Sequence, residues 1–353
     1  MFFLLLACLV TENHPTAQAE NVLPAGRDGV PVEPAPAPQL PAALADRYQL
    51  GPRALHAKLA VWPVLDTGRP SLPAGALSLA DGLSKKLVAI SEVDEGGSVP
   101  ELEVENLGEV PVLLAAGDVV TGGKQDRILT ESTLLPPKSG KVMVAVNCVE
   151  HGRWQQGGQG LAFGYGGKGE IDLRRTVEVE KNQSATWAKV AELNQEKRAK
   201  VSTADAKAKL APSTGTYMAS VRNEELIGEA TRYLATLGPA LDRDDRTVGH
   251  VAAIGDKLVA VELYGSPGLY DSVREPSLRS LALDAIGTDT AALAPADPLA
   301  HAFLADAVAG QVRSSEDAPA EASLKVETEG KSTNAYQLRS KDGDILQLNA
   351  YAK

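Results

Sequence analysis

The sequence predicts an α+β fold with a β-rich N-terminal half (sandwich-like or an irregular sheet), several packed helices and two late β-hairpins. Three observations support this. Short apolar runs separated by turn residues fill the region from about residue 50 to 154. Apolar residues recur at helical spacing after residue 182. The dipeptides Gly255-Asp256 and Asp342-Gly343 each separate two strand-like runs.

The strand candidates of the first half are apolar runs, or runs that alternate at period two. In chain order they are HAKLAVWPVL, LVAISEV, ELEVEN, VPVLLAAGDVV with a break at Gly117, RILTESTLLPP and KVMVAVNC. SLADGLSKKL, which precedes the second of them, predicts a short helix. The turn residues PPKSG lie between the last two candidates and predict that these pair as an antiparallel hairpin.

The second half begins with a glycine-rich segment, residues 155–170, which predicts a loop. No strand and helix bracket it as a dinucleotide-binding fold requires. Asn182 is a predicted cap for the helix QSATWAKVAELNQEKRAK. A second helix is predicted from about Asn223 to Gly238-Pro239, since glycine after the last turn ends a helix.

Two more helices and both hairpins complete the predicted fold. SLRSLALDAIG predicts a helix that ends at Gly287. Asp297-Pro298 predicts the start of another, with Asp297 as N-cap and proline at the first helical position. GHVAAIGDKLVAVELYG and TNAYQLRSKDGDILQLNAY are the predicted hairpins.

Composition argues against several classes of function. The chain has 353 residues and a net charge of −11, without the Lys/Arg-rich block that a nucleic-acid binder needs. Its two cysteines, Cys8 and Cys148, cannot form a disulfide framework. The five histidines are scattered, so no spacing suits a zinc site. We therefore predict neither a metal nor a cofactor.

The N-terminal run MFFLLLACLV has 10 residues, too few to span a bilayer, but it has the length of a signal-peptide core. LLAC resembles the lipobox of bacterial lipoproteins, in which the cysteine is lipidated, and this predicts lipidation of Cys8. No Lys or Arg precedes the run, as a signal peptide would have. The alternative is an accidental apolar end.

The Ala/Pro-rich stretch that follows is polar and favours an extended, unpacked spacer. We predict a signal segment over residues 1–8, a disordered tether over 9–49 and a single folded domain over 50–353. This organisation predicts a protein of the cell envelope whose only membrane contact is its lipid anchor. If the N-terminal run is not a signal, the protein is cytoplasmic.

The stretch from Thr121 to Trp154 concentrates polar residues at the ends of predicted strands. Glycines there permit close approach of a ligand, and arginines bind carboxylate or phosphate through two parallel hydrogen bonds. Pairing about PPKSG would return Arg127 towards Glu150 and Arg153, two arginines near one carboxylate, which predicts a locally positive site. The predicted ligand-binding residues are Gly122, Gly123, Gln125, Arg127, Glu150, Arg153 and Trp154.

Alternatives to a binding site remain open for these residues. Arg127 can serve only to pair with Glu150 between strands, and Trp154 only to close the core edge. Cys148 resembles a loop nucleophile, but the QQGG that follows is a poor helix start, so we predict that Cys148 is not a covalent catalyst. No catalytic residue is assigned.

The same stretch resembles the ARG and rhodanese-phosphatase-superfamily-associated domain family. EVPVLLAAGDVVTGGKQDR, CVEHGRW, NQSATWAKV and GHVAAIGDKLVAVELYGSPGLY carry the resemblance, which covers about residues 50–351. Asp118 stands where family members usually have Glu, and Asp126 where they usually have Asn.

The resemblance implies a domain without an established reaction that is linked to ADP-ribose and NAD pathways. We expect it to bind a small anionic ligand, ADP-ribose-like or a nucleotide. The first alternative is a hydrolase or transferase on a nucleotide-like substrate, with Glu150 as base. The second is an envelope scaffold that binds protein partners. Binding is favoured over catalysis because no nucleophile–base pair or metal set is recognisable.

Overall fold

A computed structural model describes residues 44–73, 75–93, 100–152, 162–211, 215–289, 293–320 and 322–353. All structural statements below concern these residues. They confirm the α+β class and the β-rich first half. None of the helices in these ranges is long and apolar enough to cross a membrane.

The first half consists mainly of short strands. Its elements are α1 (Leu44–Arg47), β1 (Tyr48–Leu50), β2 (Ala54–His56), β3 (Leu59–Asp66), β4 (Leu77–Ser78), α2 (Leu79–Ser84), β5 (Val88–Glu92), β6 (Glu101–Asn106), β7 (Val112–Leu114), β8 (Asp118–Thr121), β9 (Arg127–Leu129), β10 (Thr133–Leu135), β11 (Gly140–Cys148) and β12 (Gly164–Lys168).

The second half contains the longer helices and two antiparallel hairpins. Its elements are α3 (Ile171–Val179), α4 (Gln183–Lys200), α5 (Ala204–Lys209), α6 (Met218–Val221), α7 (Glu224–Leu241), β13 (Thr247–Ile254), β14 (Lys257–Tyr264), α8 (Pro267–Gly287), α9 (Asp297–Val308), β15 (Gln311–Asp317), β16 (Leu324–Glu329), β17 (Thr333–Arg339) and β18 (Ile345–Ala352).

The largest sheet joins both ends of the described chain. Its strand order is β1-β3-β13-β14-β18-β17-β16-β15, with β2 paired to β3. Because strand side chains alternate between faces, β3 contributes to two cores. Val61 packs with Leu237 of α7 and Leu281 of α8, whereas Trp62 packs with Phe303 of α9. The first strands are therefore built into a sheet that the C-terminal strands complete.

A six-stranded sheet, in the order β12-β8-β9-β11-β6-β5, carries the stretch that the sequence singles out. A third sheet has the order β10-β7-β4. In the six-stranded sheet β9 and β11 are antiparallel, and their register places Arg127 opposite Cys148. The polar segments on either side of these two strands therefore meet at one end of the sheet.

The predicted antiparallel pairing about PPKSG is confirmed for β9, which pairs with β11, but it is wrong for β10, which pairs with β7, while the first part of β11 pairs with β6. Asn106 explains the difference. Its side-chain amide donates to the carbonyls of Val110 and Pro136, both at 2.8 Å, and the Asn106 N–H is capped by Ser139 Oγ at 3.0 Å. The turn is thus held against the end of β6.

Both late hairpins and the Asn182 cap are confirmed, since β13–β14 and β17–β18 pair antiparallel and Asn182 Oδ1 accepts from Ala185 N. The predicted end of α7 is wrong. The helix continues past Pro239 to Leu241, where Asp242 N closes the last turn on Gly238 O at 3.2 Å. A proline there costs one hydrogen bond, and burial of Leu241 offsets it.

The other differences also have local causes. α8 begins at Pro267, well before SLRSL, because Ser266 caps its first turn. Asp297 is not an N-cap, since its carboxylate accepts from Trp62 Nε1 at 2.9 Å. Residues 164–168, predicted as loop, form β12 against β8 with a bulge, and a Cβ on Gly166 would lie 2.7 Å from Thr121 Cγ2. The rest of the glycine-rich segment before residue 162 lies outside the described residues.

Candidate functional site

The two polar segments predicted to form a site lie side by side at the end of β9 and β11. Gln125 Nε2 donates to the Glu150 carbonyl at 2.8 Å, and Asp126 N donates to Glu150 Oε2 at 3.4 Å. The Val149 N–H donates to the Asp126 carbonyl at 3.0 Å. Cys8, Arg153 and Trp154 lie outside the described residues.

Arg127 is the most unusual side chain of this region. It is 0% exposed, and within the described part of the chain none of its three guanidinium nitrogens has a hydrogen-bond partner. Its ion-pair neighbour is Glu92, with Nη2 and Oε2 separated by 3.8 Å, rather than the predicted Glu150. A buried guanidinium with unused donors is a candidate anion receptor.

Glu92, at the end of β5, is a neighbour of Arg127 that the sequence did not indicate. Its Oε1 accepts from the Lys124 N–H at 2.9 Å, while Oε2 is buried and has no hydrogen-bond partner among the described residues. No sequence pattern links the two residues, because Glu92 lies 35 positions before Arg127 and its strand, β5, is not adjacent to β9 in the sheet. Only the three-dimensional course of the sheet brings the two together.

Gly122 and Gly123 shape the loop that carries Lys124. Their φ angles are 119° and 54°, in the left-handed region that favours glycine. A Cβ on Gly123 would collide with the Phe163 ring and lie 2.7 Å from Glu92 Oε1. A Cβ on Gly122 would lie 2.6 Å from the Ala162 carbonyl oxygen. The chain itself fills the space beside both glycines, which allows Glu92 to approach the loop.

Cys148 lies opposite Arg127 and is fully buried. Burial raises the pKa of the Cys148 thiol; Arg127 acts in the opposite direction, and Glu92 and Glu150 add to the rise. A thiol with a raised pKa is a weak nucleophile at neutral pH. That Cys148 is not a covalent catalyst nevertheless stays a prediction.

Helix α4 holds the end of β11 through its first turn. Gln183 makes two hydrogen bonds to the Cys148 backbone, accepting from N at 2.7 Å and donating to O at 2.8 Å. Thr186 Oγ1 accepts from Asn147 Nδ2 at 2.8 Å. The Trp187 ring meets His151 edge-on, with centroids 4.4 Å apart. NQSATW, noted in the sequence as a helix start and as part of the family resemblance, thus positions the strand end.

A second polar group, the central ionic cluster, consists of Asp118, Lys168, Arg174 and Glu262, all fully or almost fully buried. Arg174 Nη2 lies 2.7 Å from Glu262 Oε1. Lys168 Nζ lies 3.7 Å from Glu262 Oε2 and 3.8 Å from Asp118 Oδ1. Two cations balance two carboxylates, so the cluster is an internally neutralised group contributed by both large sheets and α3.

Neighbouring groups complete this cluster. Tyr264 accepts from Lys168 Nζ at 2.8 Å, and Ser277 Oγ donates to Glu262 Oε2 at 3.0 Å. Burial alone would raise the pKa of Glu262, but Arg174 and Lys168 hold it well below its ordinary range. Burial lowers the pKa of His250 to about 4, so this imidazole is neutral at pH 7. The sequence did not reveal the cluster because its members come from separate elements without a local motif.

Glu178 lies one helical turn after Arg174 and faces a small cavity. Its carboxylate accepts from the Tyr351 hydroxyl and, at 3.2 Å, from Asn349 Nδ2. Burial raises the pKa of Glu178 to about 7. The cavity beside it has a volume of about 40 Å³ and is also lined by Ser132 and Lys325. Glu178 is therefore a buried carboxyl that changes protonation near neutral pH.

Fold and site together define an α+β domain that buries one arginine beside a glycine-containing loop and a separate group of ion pairs between its sheets. The family model of the ARG and Rhodanese-Phosphatase-superfamily-associated Protein domain matches residues 47–351. The chain belongs to this family, whose description names an association and no reaction. Comparisons with curated proteins and with solved structures found no match.

The resemblance predicts that Asp118 and Asp126 depart from the family pattern, and both side chains accept hydrogen bonds. Asp126 Oδ1 accepts from the Gly122 N–H at 3.0 Å, which the carbonyl oxygen of an asparagine would also do. Asp118 accepts from the Ala115 N–H at 3.3 Å and from the Tyr165 hydroxyl at 3.2 Å.

Proposed function

We propose that this domain binds a small anionic ligand of the phosphate type, and that Arg127 is its receptor. The observation that carries the proposal is the fully buried Arg127 guanidinium, whose three nitrogens lack hydrogen-bond partners in the described chain. Burying a charge without compensating hydrogen bonds is costly. A phosphate or carboxylate meets the planar fork of an arginine with two parallel hydrogen bonds and offsets that cost.

The sequence-based expectation of a positive site includes Arg153, which lies outside the described residues. Among the described residues, the cations Lys124 and Arg127 stand near three carboxylates, those of Glu92, Asp126 and Glu150. Affinity would therefore come from short-range hydrogen bonds at Arg127 rather than from a long-range positive field. We accordingly expect binding to depend weakly on salt concentration.

Calorimetry with inorganic phosphate tests the proposal. Arg127→Lys keeps the charge but removes the planar fork, so we expect at least about tenfold weaker binding. Arg232→Lys, at a largely exposed arginine of α7, is the matched control and should bind like the wild type. Thermal melts check that both variants are folded. If the wild type binds neither phosphate nor ADP-ribose, or if Arg127→Lys binds them unchanged, the proposal is wrong.

A hydrolase or transferase remains the second candidate, and one observation favours it. Glu178, with a pKa of about 7 beside a cavity, has the properties of a general acid–base. Hydrolysis of ADP-ribose by the wild type but not by Glu178→Gln would support catalysis. The scaffold alternative has no comparable support in the described residues.

We also propose, from the sequence, that a lipid on Cys8 anchors the protein at the cell envelope. The LLAC motif and the Ala/Pro-rich spacer support this. Fractionation of cells that express the wild type or Cys8→Ser tests it. We expect the wild type in the membrane fraction and the variant released from it. Equal recovery of both in the soluble cytoplasmic fraction would exclude the anchor.

A further inference from the structure

We infer that the ligand of the Arg127 site presents an O–H group beside its anionic oxygens, and that Glu92 receives this hydroxyl. The inference rests on the proposed function, because it assumes that Arg127 binds the anionic oxygens. It adds Glu92 as the residue that determines specificity. The ligand class is a phosphate that carries its own P–OH group or a neighbouring hydroxyl, as a sugar phosphate does.

Glu92 and Arg127 lie too far apart to be hydrogen-bonded to each other. Oε2 and Nη2 are separated by 3.8 Å, whereas a hydrogen-bonded guanidinium–carboxylate pair has a separation of about 2.8 Å. Both atoms are buried, and neither has a hydrogen-bond partner within the described ranges. An acceptor and a donor thus lie next to each other inside the protein without satisfying each other.

Glu92 and Arg127 are anchored by separate contacts. Glu92 Oε1 is bound to the Lys124 N–H at 2.9 Å, and the Gly123 backbone packs close to the same oxygen. The Arg127 backbone is held in β9 by its pairing with Cys148. The two side chains are therefore anchored on different elements, Glu92 through its hydrogen bond to the loop and Arg127 through its strand.

Glu92 and Arg127 require opposite hydrogen-bonding groups from a ligand. An ionised carboxylate only accepts hydrogen bonds, and a guanidinium only donates them. One ligand that satisfies both must offer a donor and an anionic acceptor within a few ångströms of each other. A phosphate with an O–H group does so, whereas sulfate at neutral pH has acceptors only. A ligand that leaves a buried polar group of the site without a hydrogen-bond partner binds much more weakly. The site therefore discriminates strongly against such a ligand.

Calorimetry at pH 8 with four ions separates the possibilities. Phosphate monoesters are dianions at this pH, because their second pKa is about 6. Inorganic phosphate then has a P–OH group, ribose 5-phosphate has only sugar hydroxyls, and methyl phosphate and sulfate have none. We expect sulfate and methyl phosphate to bind at least about tenfold more weakly than the better of the two hydroxyl-bearing ions. Tighter binding of ribose 5-phosphate than of inorganic phosphate would identify a sugar as the source of the hydroxyl, and the reverse order would identify P–OH.

Glu92→Gln provides the second readout, since a glutamine can donate as well as accept. We expect it to reduce the preference for hydroxyl-bearing ions over sulfate to less than about threefold while phosphate still binds. Glu109→Gln, at an exposed glutamate, is the matched control and should keep the preference. Equal binding of all four ions by the wild type overturns the inference, even if Glu92→Gln fails to fold. Unchanged selectivity in folded Glu92→Gln also overturns it. Either result leaves the proposed function standing, whereas the absence of all binding would refute the proposed function itself.

Discussion

Glu178 is a residue whose ionisation links the stability of this fold to pH. Burial raises its pKa from the ordinary value of 4.5 to about 7, so the folded state binds the proton more tightly than the unfolded state. The stabilisation from the protonated form is fully present below about pH 4.5 and is lost as the pH rises through 7. A shift of this size corresponds to about 3 kcal/mol of unfolding free energy.

Glu178→Gln should therefore flatten the pH dependence of stability. Between pH 5 and pH 8 we expect the wild type to lose about 2–3 kcal/mol relative to this variant, measured by chemical denaturation. The lowered pKa of His250 gives a slope of opposite sign at acidic pH, but it is common to both proteins and cancels in the comparison. Glu180→Gln, at the exposed C-cap of the same helix, is the control. Parallel pH profiles for wild type and Glu178→Gln would contradict this account.

At the residue scale, the sequence indicated about half of the candidate site. Strand alternation and flanking turns were enough to place Gln125, Arg127 and Glu150 at one end of a sheet. The same patterns could not identify Glu92 as the neighbour of Arg127, because that contact depends on how the sheet brings a distant strand end to the loop. Local sequence patterns indicate which side chains share a face of one helix or strand. They do not indicate which faces pack against each other.

At the element scale, the first turn of α4 fixes the end of β11. The two hydrogen bonds from Gln183 satisfy the Cys148 N–H and carbonyl, and Thr186 binds the side chain of Asn147. These bonds join a helix to a strand end that lies opposite Arg127. The geometry of the proposed site therefore depends on a helix that contributes no residue to it.

Gln183→Ala should loosen this strand end. Removing both hydrogen bonds should lower the unfolding free energy by about 1–3 kcal/mol. Cys148 should also react faster with a thiol reagent in the native state, measured in a Cys8→Ser background. Ser184→Ala, at the exposed neighbouring position, is the control. If the labelling rate and the melting temperature of Gln183→Ala match those of Ser184→Ala, the two hydrogen bonds of Gln183 do not hold the strand end.

The elements that the sequence predicted best are those with a local cause. The Asp342-Gly343 turn and the Asn182 cap set the boundaries of their own elements. The extension of α7 past Pro239 and the pairing of β10 with β7 depend on distant partners. Tertiary packing therefore overrode the local signals at those two positions.

At the scale of the whole molecule, the β-rich first half is not an independent unit. β3 pairs with β13, and the central ionic cluster combines Asp118 and Lys168 of the first half with Glu262 of the second. The sequence showed the β-rich character of the first half but not this dependence, since no local pattern reports which strands share a sheet. The single domain over residues 50–353 remains a prediction.

A fragment of residues 44–181 should therefore not fold cooperatively, whereas residues 44–353 should. The fragment lacks β13 as the partner of β3 and Glu262 as the counter-ion of Arg174, and a buried charge without its partner costs about 3–5 kcal/mol. Circular dichroism melts and proton NMR dispersion of both proteins test this. A sharp melting transition of the fragment would show that the first half is a domain of its own.

The central claim is that the Arg127 guanidinium binds an anion. Side-chain NMR of the ¹⁵N-labelled protein tests it most directly, with the Arg127 Nε–H signal assigned by its loss in Arg127→Lys. The account predicts a saturable shift of this signal as inorganic phosphate is added, while the exposed Arg232 signal stays constant. Two results would contradict this claim. One is that phosphate does not bind at all, and the other is that the Arg127 signal does not move at phosphate concentrations that saturate binding in calorimetry.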